Sequence, residues 1–149
     1  MKNFKLSEID ILSNQDWTFP TTTYYGPGRF NEIGKFCEEF EIKNPLIVTD
    51  SGSKDLPFIN KLETLLSKNN IKSEIFYNIS PNPRDDEISK GCDQFRSGKH
   101  DAIIAIGGGS AMDGGKSICL TVNSDTPLWD FEFEQPVPKI TKENAFPKI

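Results

Sequence analysis

Residues 101–110 read Asp101-Ala102-Ile103-Ile104-Ala105-Ile106-Gly107-Gly108-Gly109-Ser110, an apolar run followed by three glycines and a serine. The apolar part has the length and composition of a strand buried on both faces of a parallel sheet. The glycines stop that strand and open a helix predicted to reach about Val122. Free backbone N–H groups and the positive end of the helix dipole meet at such a junction, which makes an anion site. Glycine lets a phosphate approach without a Cβ in the way. Ser110 can cap the helix or donate its hydroxyl to a phosphate oxygen. In open α/β sheets ligands bind at the carboxyl ends of the strands. A tight strand-to-helix turn without a ligand is the plainer alternative.

Strand and helix alternate outward from this point, the pattern of a parallel sheet with crossover helices. Residues 18–25, rich in threonine and aromatics, read as one extended strand, stopped by Gly26-Pro27-Gly28. Over residues 29–41 the apolar positions Phe30, Ile33, Phe36, Cys37 and Phe40 recur at helical spacing. Residues 45–49 (PLIVT) form a second buried strand. Residues 56–68 predict a helix burying Ile59, Leu62, Leu65 and Leu66. Residues 71–79 predict a strand, which Pro81 and Pro83 cannot continue because they lack the N–H a ladder needs. A helix over residues 85–95 follows, with acids in its first turn and Ile88, Cys92 and Phe95 inward. After Asn123 the pattern fades into a proline-broken tail, long for the structureless end of a compact domain.

The 149 residues suit one domain, able to bury roughly two-thirds of its unfolded surface. Seventeen basic and 22 acidic residues leave a net charge of −5, mixed in sign along the chain. Nucleic acid and membrane surfaces are therefore not expected partners. The longest apolar run, residues 102–106, is far too short to span a bilayer. Residues 1–10 are polar and acidic, unlike a signal peptide. Three scattered cysteines, Cys37, Cys92 and Cys119, do not suggest a disulfide framework, so a reducing cytoplasm is the expected setting.

Two common phosphate motifs are excluded. Gly115-Lys116-Ser117 has the end of a P-loop, but Ser110 stands where its first glycine belongs. Gly107-x-Gly109 is followed by Met112, where a dinucleotide fingerprint needs glycine. Gly107 to Lys116, GGGSAMDGGK, instead resembles the GGGSxxDxxK signature of iron-type (group III) alcohol dehydrogenases and their relatives. Residues 19–29, the strand Leu46-Ile47-Val48-Thr49-Asp50, the loop Pro81-Asn82-Pro83 and the segment 128–132 resemble further family segments in the same order. Arg84 departs from the threonine more common after that loop.

The resemblance implies a Rossmann-like, dehydroquinate synthase-like α/β domain, a parallel sheet with helices on both faces. One dinucleotide-binding domain is expected over residues 1–149, incomplete at its C-terminal end and lacking the all-helical metal-binding domain. The implied cofactor-binding residues are Asp50, Asn82, Gly107, Gly108, Gly109, Ser110 and Asp113. Gly108, Gly109 and Ser110 would hold a pyrophosphate. Asp50 would accept the adenosine ribose hydroxyls, and its charge would favour NAD over NADP. From the residues alone, Asp50 also reads as a turn acid, Asn82 as a plain turn, and Asp113 with Lys116 as a surface ion pair.

No catalytic residue and no metal ligand are assigned. The single histidine, His100, has no partner at ligand spacing and is expected to face solvent from a loop. A divalent metal, iron or zinc, is expected only in a full-length enzyme acting on a small alcohol or aldehyde, which could be a homo-oligomer. The chain alone is expected to be inactive. Competing readings are a stand-alone nucleotide-binding or interaction module, and a glycerol dehydrogenase or dehydroquinate synthase-like enzyme.

Overall fold

The computed structural model describes residues 15–18, 22–132, 134–136, 141 and 147. Readings that fall on residues 1–10, 19–21 or 145–146 therefore lie outside the described residues. Nine strands and helices are described: β1 (Gln15–Thr18), β2 (Thr22–Tyr25), α1 (Ile33–Glu39), β3 (Pro45–Asp50), α2 (Pro57–Lys68), β4 (Glu74–Ile79), α3 (Asp85–Ser97), β5 (Ala102–Ala105) and α4 (Gly109–Thr121). Short 3-10 turns cover Arg29–Glu32 and Leu128–Phe131.

The main sheet has the order β4-β3-β5 and is parallel throughout. β3 is central, and Leu46, Ile47, Val48 and Thr49 are all fully buried. Its alternate residues serve two cores, because side chains on a strand point to opposite faces. Leu46 and Val48 join Phe76, Ile88, Cys92, Ile103 and Ile118 beneath α3 and α4. Ile47 joins Cys37, Leu62 and Leu66 beneath α1 and α2. The α/β, Rossmann-like layering with helices on both faces is thus as the sequence implies.

Three local readings need correction. The single strand over residues 18–25 is a two-stranded antiparallel hairpin, with Thr18 paired to Thr22. Its second strand attaches to α1 through Tyr24 and Phe36, whose rings lie 4.5 Å apart. The helix over residues 29–41 opens as a 3-10 turn and leaves Phe40 exposed. His100 does not face solvent: its side chain is 0% exposed. The Asp101 carboxylate accepts the N–H groups of Lys43 and Asn44 at 2.7 and 3.0 Å. That closes the loop over the imidazole, which packs 5.9 Å from the Phe95 ring and sets Nδ1 3.0 Å from the Asn44 carbonyl. A carbonyl only accepts, so Nδ1 carries the proton.

Candidate functional site: the crevice at the carboxyl edge

The connection leaving β3 runs through α2 on one face, and the connection leaving β5 runs through α4 on the other. Two neighbouring strands whose following helices part to opposite faces leave a crevice between their carboxyl ends. The glycine turn lies on one side of it, with Asp50 Oδ2 beside Gly107. Phe30, Ser53, Phe58, Ile106, Gly107 and Gly108 line a cleft of about 420 Å³ there.

Gly107 has φ 140°, a conformation L side chains rarely adopt. A Cβ on it would lie 2.9 Å from Ala111 Cβ and 3.1 Å from Asp50 Oδ2. A Cβ at Gly108 or Gly109 would meet nothing within 4 Å, so the space above these two residues is open. Gly114 and Gly115 differ, for their faces pack on Ile79 and Ala105. α4 starts at Gly109, and Met112 N–H makes an early helical bond to Gly108 O at 3.1 Å. The N–H groups of Gly109, Ser110 and Ala111 precede it and have no carbonyl of their own helix to bind.

Asp50 is half-buried. Its Oδ1 accepts the N–H groups of Gly52 and Ser53 at 3.0 and 2.9 Å, and its Oδ2 accepts the Ser53 hydroxyl at 2.8 Å. A carboxylate has about four acceptor positions, so one remains on Oδ2, the oxygen beside Gly107. Asp50 is thus a turn acid with spare acceptor capacity facing the crevice. Next to it the Thr49 hydroxyl is buried without a hydrogen-bond partner, 3.5 Å from where a Gly107 Cβ would lie.

Ser110 spends its hydroxyl proton on the Pro81 carbonyl at 2.6 Å, and its side chain does not cap α4. Asn82 is exposed on the same loop, and its carbonyl accepts the Ser80 hydroxyl at 2.8 Å. Asp113 points to solvent one turn into α4, 3.4 Å from Lys116 Nζ, with both side chains 67% exposed. The structure therefore gathers Asp50, Gly107, Gly108, Gly109 and Ser110 at one crevice, with Asn82 on the adjoining loop. It sets Asp113 on the outer face of the helix.

Sequence reasoning passed over Glu87. It is 7% exposed, and one oxygen accepts the N–H groups of Ser80 and Arg84, both at 3.2 Å, and lies 3.0 Å from the Ser80 hydroxyl. Its other oxygen lies 3.3 Å from Arg84 Nη2. Burial alone would raise its pKa, but these hydrogen bonds and the Arg84 charge outweigh burial and hold it below the usual glutamate range. The signal for it was present, a glutamate at the third position of a helix, where it can reach back to the N-cap N–H.

These features define an open parallel α/β layer with a crevice at its carboxyl edge. Comparison with known proteins then gives the family. Residues 20–149 match the sequence profile of the iron-containing alcohol dehydrogenases. The chain is 34% identical over 128 residues to NADH-dependent butanol dehydrogenase A of Clostridium acetobutylicum, covering 85% of this chain and 32% of that one. It is 29% identical over 136 residues to 1,3-propanediol dehydrogenase of Citrobacter freundii, covering 87% and 35%. A solved 1,3-propanediol oxidoreductase superposes with a TM-score of 0.68 at 31% identity, over 71% of this chain and 28% of that one. Sulfoacetaldehyde reductase of Bifidobacterium kashiwanohense, solved in complex with NAD+, superposes with a TM-score of 0.63 at 25% identity, over 73% and 28%. The chain belongs to the iron-containing alcohol dehydrogenase family. It spans about a third of the length of the curated relatives it matches.

Proposed function

We propose that residues 1–149 are the NAD(H)-binding part of a metal-dependent alcohol dehydrogenase that interconverts alcohols with aldehydes or ketones. The observation that carries this reading is the crevice between β3 and β5, with open space above Gly108 and Gly109 and with Asp50 Oδ2 beside Gly107. Its donor set fits a dinucleotide. The N–H groups of Gly109, Ser110 and Ala111 and the α4 dipole favour a pyrophosphate. The last acceptor position of Asp50 suits a ribose hydroxyl, and its charge disfavours a 2′-phosphate, so NAD is preferred over NADP. The apolar walls, Phe30, Phe58 and Ile106, suit the flat face of a base. When bound, the nicotinamide gives or takes the hydride. Ser110 acts by fixing the turn against Pro81, since its proton is already placed there.

Among the described residues, the metal that the family's name implies finds no donor set. Among the described residues no group of three His, Cys, Asp or Glu side chains could hold an ion. His100 sits at the amino end of β5, away from the crevice. We assign no catalytic residue to this chain.

Calorimetric titration with NADH tests the proposal. Saturable binding is expected, at least tenfold tighter than NADPH. Gly108→Ala is expected to weaken it at least tenfold while the melting temperature holds, because φ −78° suits alanine and the new methyl meets only open space. No saturable binding at millimolar NADH would remove the reading.

A further inference from the structure

We infer that Glu87 is a positioning residue of the crevice: its buried carboxylate clamps the loop 80–84 at both ends and so holds the Pro81 carbonyl against Ser110 on the glycine turn. This rests on the nucleotide reading of the crevice.

The need for a clamp follows from the loop's own sequence. Pro81 and Pro83 have no N–H, so this segment cannot be fixed by a backbone ladder. Two of the N–H groups it does have, those of Ser80 and Arg84, flank the prolines, and both donate to the same Glu87 oxygen. The Ser80 hydroxyl has one proton, and Glu87 and the Asn82 carbonyl both lie within reach of it at 3.0 and 2.8 Å. The two N–H groups thereby tie the loop at its entry and its exit, and the one hydroxyl proton of Ser80 adds a third tie, to Glu87 or to Asn82. What this fixes is the Pro81 carbonyl, the acceptor for Ser110 at 2.6 Å. That bond joins the loop after β4 to the turn after β5, across the end of the central strand. Glu87 has no contact with the glycine turn itself and acts through Ser80, Pro81 and Ser110. A buried carboxylate held by donors from both ends of the loop is rigid, and a rigid loop keeps the first turn of α4 ordered before any ligand arrives.

The test is amide hydrogen exchange at residues 108–111 together with NADH titration, on the parent chain and on Glu87→Gln, Ser110→Ala and the double variant. The carboxamide of Glu87→Gln keeps the shape but removes the charge, and whichever way it turns its NH2 faces a donor, either the N–H groups of Ser80 and Arg84 or the Arg84 guanidinium, so the clamp is weakened. Exchange at residues 108–111 is expected to rise about tenfold in each single variant and NADH affinity to fall by a similar factor. The double variant is expected to be no worse than either single one, since both remove the same link. Additive losses, or exchange unchanged in Glu87→Gln, would overturn the inference. Ser80→Ala, which deletes one hydroxyl, is the substitute if Glu87→Gln fails to fold, with the same expected direction. A parent chain that binds no NADH would overturn the nucleotide reading and with it this role. NADH binding that Glu87→Gln leaves untouched would overturn the clamp alone.

Discussion

A glutamate side chain with almost no exposure keeps its charge only if hydrogen bonds replace the water it has lost, and Glu87 has them from Ser80 and Arg84. Because its folded pKa lies below the unfolded one, its stabilising contribution is full above the ordinary glutamate range. That contribution is lost as pH falls from this range through the lower folded value. Thermal melts taken from neutral pH downward should therefore show the parent chain losing more stability than Glu87→Gln. Parallel acid limbs would mean that Glu87 titrates alike in both states. Site residues of this kind were only partly legible in the sequence. The glycine turn and Asp50 lie at strand ends, which apolar runs mark clearly. Glu87 and Thr49 owe their importance to neighbours brought in by folding, and no periodicity marks that. His100 was misread for the same reason, since the Asp101 carboxylate that seals it in works through residues 57 and 58 positions away.

α4 shows how an element can depend on what it lacks. Its two adjacent glycines weaken the isolated helix by about 1 kcal/mol each. Their absent side chains let the helix approach the sheet, with Gly114 on Ile79 and Gly115 on Ala105. A methyl on Gly115 would lie 2.5 Å from Ala105 Cβ, an atom with no rotamer to move. Gly115→Ala is therefore expected to destabilise by about 1–2 kcal/mol, overpacking outweighing the gain in helix propensity. Denaturant unfolding would show this as a lower midpoint at unchanged slope. A higher midpoint would mean that the helix backs away from the sheet at little cost. The strands and helices of the main layer were legible because burial on one or both faces imposes a period. The hairpin β1–β2 was not, because threonines and aromatics continue on both sides of the reversal, with Pro20 the main local break.

The two cores of the molecule each carry thiol reporters. Cys37 lies beneath α1 and α2, while Cys92 and Cys119 lie beneath α3 and α4, and all three are free and buried. Burial raises each thiol above its usual pKa, Cys119 to about 11. Alkylation by iodoacetamide near pH 8, followed by mass spectrometry, is expected to be slow at all three sites in the native protein. It should become fast at all three together on unfolding, because both cores hang on the same central strand. Cys37 reacting well ahead of the other two would show that the α1–α2 face opens by itself.

The strand order has a consequence for how the molecule assembles. Joining β4 to β3 closes the shorter loop, whereas β5 must return from further along the chain, as the 58 positions from Lys43 to Asp101 attest. Longer closures cost more chain entropy before any contact repays them. Asp50 and the glycine turn come to face one another only when that more distant pairing is made. The crevice is therefore a report on completion: of the pairings in the described three-stranded sheet, the one that brings its two walls together closes the longer stretch of chain.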